Sequence, residues 1–155
     1  MNTMAKGLSV LAAAILGSSG SSSAGASGPI RVPLHAVNGS GQSGLAILTP
    51  TANGYTVTVR LSGEHIQAGD HDHIHNLSCA RYARIAPHAK APTSTQIKKQ
   101  LATITVGLSD IYLGRSATTV DSPLSQVTKR GFSINVHEPG GPYTALACGN
   151  IPVQG

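Results

Sequence analysis

Across residues 54–61 the chain alternates: Tyr55, Val57, Val59 and Leu61 are apolar, and Thr56, Thr58 and Arg60 between them are polar. A period of two belongs to an extended chain with one face buried and one face wet, and a helix cannot satisfy it. The same reading predicts strands over Ile30–Ala36 and 44–48, joined through the turn residues Asn38-Gly39-Ser40-Gly41. Residues 102–108 alternate through Ile104, Val106 and Leu108, residues 131–137 through Phe132, Ile134 and Val136, and 144–150 make a last strand. Short strands punctuated by Gly, Pro and Ser imply an all-β chain, an antiparallel sandwich or Greek-key barrel. Composition agrees, because charged residues are only 11%, Gly reaches 18 and Pro 9. A helical bundle would carry far more Glu and Lys on its surface. The exception is 80–100, which holds Arg81, Arg84, Lys90, Lys98 and Lys99, two prolines and little periodicity. It is expected to be a long loop with one helical turn near 95–101, and loops of that length in compact domains tend to serve function.

The first 26 residues read as a secretory signal. Lys6 gives the positive start, 8–16 (LSVLAAAIL) the apolar stretch, and Ala24-Gly25-Ala26 a small-residue cleavage site. The apolar run is well short of the ~20 residues of a membrane span, so no retained anchor is expected. The expected organisation is a signal over 1–26 and one β domain over 27–155, exported to the periplasm or beyond. The 155 residues suffice for one core. Eleven basic against six acidic residues give a net charge of +5, which attracts anions. The basic residues are dispersed and aromatics scarce, so no nucleic-acid site is expected. Cys79 and Cys148 are the two cysteines. In an oxidising compartment an even pair makes one disulfide, worth ~4 kcal/mol for a loop of this length, with thiolate metal ligation the lesser alternative.

Three of the seven histidines fall in His71-Asp72-His73-Ile74-His75. On a strand, His73 and His75 project from one face about 7 Å apart while Ile74 points to the core. His137 follows the same logic, since Phe132, Ile134 and Val136 take the core face of their strand. Two strands thus place three imidazoles on the outside of the barrel, where they can share a metal ion. A single histidine so placed is ordinarily a solvated side chain; the pair together with a strand-end partner favours a metal site.

Here the chain resembles the copper/zinc superoxide dismutases. That family places H-x-H on its fourth strand, a cysteine soon after, a further copper-ligand histidine before the last strands, and a closing A-C-G. This sequence has His73-Ile74-His75, Cys79, Val136-His137-Glu138 and Ala147-Cys148-Gly149 in the same order, and the likeness runs over nearly all of 27–155. The resemblance implies a Greek-key β-barrel, one copper ion held by His73, His75 and His137, and a Cys79–Cys148 disulfide. It implies a fourth ligand as well, for which His88, after Pro87, is one choice and His71 the other. His35 and His65 have no counterpart and are expected at the surface. The departures are equally specific. No histidine lies between His88 and His137, so a zinc subsite of the family's design is not expected. The stretch from His137 to Cys148 is too short for the long electrostatic loop, and Ala145 stands where the anion-guiding arginine would be, leaving Arg81 or Arg84 as nearby cations. The pattern is closer to copper-only members and to superoxide dismutase-like bacterial exported proteins; chordin-type domains share its H-I-H and N-V-H.

Two functions follow as expectations. One is disproportionation of superoxide at a histidine-bound copper, with His88 releasing and rebinding as proton donor. The other is an extracytoplasmic protein that exchanges copper with a donor or acceptor without turnover. An incidental use of the scaffold, with the histidines serving no metal, is the third reading.

Overall fold

The computed structural model describes residues 28–85, 93–139 and 144–154. Among the described residues eight strands carry the fold: β1 (Ile30–Ala36), β2 (Ser43–Pro50), β3 (Tyr55–Ser62), β4 (His71–His75), β5 (Ile104–Gly107), β6 (Arg115–Val120), β7 (Ser133–His137) and β8 (Ala145–Asn150). Helices α1 (Cys79–Ile85) and α2 (Ser94–Leu101) lie between β4 and β5, and a short 3-10 turn spans Leu124–Gln126. The strands form one sheet in the order β5-β4-β7-β8-β1-β2-β3-β6, every neighbouring pair antiparallel. The chain is therefore mostly antiparallel β, and the sheet curls into a half-barrel.

The curl turns on β1. Its residues Ile30 to Leu34 pair with β2, and His35 and Ala36 pair with β8. Gly149 makes the corner possible, because a Cβ there would lie 2.3 Å from the Pro33 carbonyl oxygen and 2.8 Å from Val32 Cγ1. Inside the curl, Val32, Leu34, Leu48, Val57, Val59, Ile74, Ile134 and Val136 form one buried cluster with Tyr55 and Ile111. These are the inward members of the alternating runs, so the predicted periodicity and the core coincide.

Two elements depart from expectation. The strand β6 has Ser116, Thr118 and Val120 as its less exposed positions, and only the last is apolar. Residues 80–100, expected as a loop with one helical turn near 95–101, carry a helix there as α2 (Ser94–Leu101) and an unexpected one, α1, at their start. The cause is visible in what each helix buries: Tyr82 in α1 and Gln100 in α2. A helix anchored by one residue leaves no apolar stripe for periodicity to register. The start of α2 is fixed locally by a capping box, in which Thr93 Oγ1 accepts from the Gln96 amide and Gln96 Oε1 accepts from the Thr93 amide.

Cys79 and Cys148 are disulfide-bonded, with Cα atoms 5.9 Å apart, which ties the first turn of α1 to β8. Among the described residues no helix is long and apolar enough to cross a membrane. The segment read as a signal lies outside the described residues.

Candidate metal centre

Strands β4 and β7 pair directly, with His71 opposite His137, His73 opposite Asn135 and His75 opposite Ser133. Alternation puts His71, His73, His75 and His137 on the outer face, and Asp72 and Ile74 on the inner one. The pairing breaks register at two points beside this face, between Ile74 and His75 toward β5 and between Val136 and His137 toward β8. Such irregularities re-aim a side chain, and here they sit at two of the three converging histidines.

His73, His75 and His137 converge so that one ring nitrogen from each lies within 4.8 Å of the others. Their ring centroids form a nearly equilateral triangle, 5.7 Å for His73–His75, 5.4 Å for His73–His137 and 5.7 Å for His75–His137. Three nitrogens at ~2.1 Å from one metal ion lie roughly 3.6 Å apart, so closing this set on an ion takes shifts of about 1 Å or less. The three histidines could therefore hold a metal ion, as the sequence predicts.

The outer face is not open. His75 and His137 are each 1% exposed, and His73 is half-buried. Tyr82 from α1 covers them, its ring 4.8 Å from His75 and 5.6 Å from His137. Leu77 and Ala145 pack with Tyr82 in a small cluster, so α1 forms a lid on the site. Gln100 of α2 donates its side-chain amide to the Tyr82 hydroxyl, and burial raises the phenol's pKa further above its ordinary value.

A hydrogen-bond chain fixes the tautomer of His75. The Thr103 hydroxyl donates to the Gln100 carbonyl (2.7 Å), so it can only accept from His75 Nδ1 at 2.9 Å. Nδ1 therefore carries the proton and Nε2 carries the lone pair, and Nε2 is buried with no hydrogen-bond partner. On His73 the buried nitrogen without a partner is Nδ1. Buried polar atoms left unpaired cost free energy unless an ion takes them up. The Thr103 contact is of the kind that orients a metal-ligating imidazole. Replacing Thr103→Val is expected to lower metal affinity by about tenfold or more while the fold persists, a result titration of the metal by spectroscopy would read.

His71 lies beside the cluster but outside the group of three. Its ring is 5.7 Å from His73 and 6.1 Å from His137, and its Nδ1 faces the Gly69 carbonyl at 3.0 Å. His88, the other choice for a fourth ligand, lies outside the described residues. His35 and His65 are exposed. Arg81 and Arg84 are exposed on α1, and Ala145 is buried opposite His137. Sequence reasoning missed Tyr82, Gln100, Thr103 and Asn135, which is fully buried beside His73 and donates to Ser133 Oγ. Asn135 shares the period-two face of His137, and that was the one available signal.

Burial lowers the pKa of His75 to about 3, with the His73 charge adding to the effect; burial, then the charge on His71, lowers that of His73. A histidine depressed in the folded state stabilises the fold above its unfolded pKa of ~6.5 and loses that stability as pH falls toward the folded value, at ~1.4 kcal/mol per pH unit. Asp72 works against it, for burial raises its pKa from 3.8 to about 6 despite the Ser116 hydroxyl at 2.9 Å. Its share of stability is present below 3.8 and is lost as pH rises through 6. The metal-free chain compared with His75→Gln isolates the histidine. The difference in unfolding free energy is expected to be flat above pH 7 and to fall steadily below ~6.5. Urea titrations across that range check it.

Comparison with models of known protein families gives no match for this chain, and comparison with curated proteins finds none similar to it.

Proposed function

We propose that this chain is an exported copper protein of the superoxide dismutase-like type, with a Greek-key barrel, one histidine-held copper, and superoxide as its substrate. The observation that carries the reading is the convergence of His73, His75 and His137 with buried, unpartnered nitrogens on His73 and His75. An all-imidazole donor set suits copper in both of its oxidation states. Three features of the fold support the family assignment: the strand order, the placement of ligands on β4 and β7, and the link from α1 to β8.

Bound copper would supply one-electron chemistry, oxidising one superoxide to dioxygen and reducing the next, with two protons, to hydrogen peroxide. The chain's own residues would do the rest. His75 presents Nε2 because Thr103 holds its Nδ1 proton, and the unpartnered Nδ1 of His73 would turn to the same ion. Tyr82 excludes water from one side and leaves the half-buried His73 edge as the approach for a small anion. The +5 charge favours anion encounter, an effect that salt would weaken. His88 is the proposed proton donor.

A second reading, copper carriage without turnover, is favoured by the burial of His75 and His137 and by Ala145 in place of a guiding cation. Metal analysis of the purified, copper-loaded chain followed by a superoxide assay decides. One copper per chain, lost in His73→Ala and His137→Ala, with turnover, is expected. Tight copper without turnover would establish the carrier, and an absence of specific copper would overturn both.

A further inference from the structure

The metal centre occupies the face of β4 and β7, and the opposite half of the sheet carries a different surface. Across β1, β2, β3 and β6 the cross-strand register aligns the outward residues in rows. One row runs Arg31, Ile47, Thr58, Ala117, and the next runs Pro33, Leu45, Arg60, Arg115. Arg60 and Arg115 are thus directly opposite each other on neighbouring strands. Like charges so placed are destabilising unless something neutralises them. Among the described residues the one ion pair is His65–Glu64, which touches neither arginine. With Arg31, the two line a shallow groove of about 730 Å³ floored by Leu45 and Ile47 and edged by Tyr112.

At that edge the chain makes a tight turn between Tyr112 and Arg115, which are bridge partners. The turn residues Leu113 and Gly114 both have positive φ, 49° and 72°. Gly114 suits that geometry, while a leucine there is strained and would ordinarily be asparagine or glycine. Leu113 is also 81% exposed and Tyr112 is 67% exposed. A strained, largely exposed leucine beside an exposed tyrosine and an uncompensated arginine pair adds little burial to the fold. Strain retained at a surface tip points to use there.

We propose that this face docks the protein on an anionic phospholipid bilayer, with Leu113 and Tyr112 entering the headgroup boundary and Arg31, Arg60 and Arg115 meeting lipid phosphates. The occupant follows from the two sets of residues taken together. A small soluble anion would use the arginines and leave Leu113 in water. A second copy of the chain related by a two-fold axis would bring the same arginines toward each other. A bilayer with negative headgroups uses both sets, the apolar tip and the cationic groove. The inference is independent of any metal at the histidines.

The test is flotation of the purified full chain with vesicles of phosphatidylcholine, with and without phosphatidylglycerol. The readout is the parent's binding against each variant's on the same vesicles, because Lys6 and the apolar stretch at 8–16 attach every version alike. Selective binding to the anionic vesicles is expected, weakened by salt. The double variant Arg60→Gln/Arg115→Gln should weaken it by about tenfold or more. Leu113→Asn relieves the backbone strain, so the melting temperature should hold or rise while vesicle binding falls. That opposition is what a merely structural Leu113 would not give. Equal binding to both vesicle types, or binding unchanged in either variant, would overturn the proposal. So would full competition by inorganic phosphate, which would make the groove a small-anion site, or capture by an acidic protein with no vesicle binding.

Discussion

Copper at about a thousandfold above its dissociation constant is expected to raise the unfolding free energy by ~4 kcal/mol and the melting temperature by roughly 15 °C. The size follows from linkage alone, since the unfolded chain scatters His73, His75 and His137 and has no site to offer. The informative variant is His75→Phe. It keeps a ring against Tyr82, now 4.8 Å from His75, and removes the buried Nε2 that has no partner. It also removes the Nδ1 hydrogen bond to Thr103, so without metal a gain and a loss of about 1 kcal/mol each offset and the variant should roughly match the parent. With metal the two should separate, because the parent gains the full shift and the variant almost none. Thermal melts of both proteins, with copper and with chelator, give the four numbers needed. A buried histidine serving the core alone would give no metal shift in either protein, and the separation would be absent.

How far the sequence reaches is clearest at particular residues. Tyr55, Val57 and Val59 alternate with polar neighbours, and the structure buries all three. The same alternation found His73, His75 and His137, because a strand's two faces are set by parity and need no tertiary knowledge. Strand β6 escaped because its inward positions are polar for a reason supplied by distant residues. Ser116 donates to Asp72 on β4, and Thr118 donates to Ser109. The lid escaped for a similar reason. Tyr82 and Gln100 lie on different helices and are buried against each other by a hydrogen bond, so neither helix shows an apolar face of its own. His71 shows the limit of parity. It shares the face of His73 and stands opposite His137, yet its Nδ1 turns to the Gly69 carbonyl and it stays outside the group of three. Face is legible from spacing, whereas rotamer is decided by a neighbour's carbonyl.

Removing the disulfide by Cys79→Ser/Cys148→Ser is expected to cost ~4 kcal/mol, from the loop the bond closes in the unfolded chain, and to lower the melting temperature by roughly 15 °C. A second effect separates this bond from a generic staple. Cys79 opens α1, where its amide also donates to Asn150 Oδ1 at 2.9 Å, and Tyr82 follows one turn later on the same helix. Cys148 sits on β8 opposite Asn135, next to the strand that carries His137. The bond therefore pins the lid to the strand beside the ligands. Once it is gone, α1 is held by Tyr82, the partly buried Ile85 and the backbone bond to Asn150, and local opening of so short a helix should become more frequent. Opening would uncover His75 and His137 together, so loss of bound metal to a soluble chelator should accelerate by more than the change in global unfolding explains. Tyr82→Ala in the intact disulfide background should reproduce the faster loss. If the serine variant melts earlier yet releases metal at the parent's rate, the disulfide stabilises the fold and the lid is held by something else.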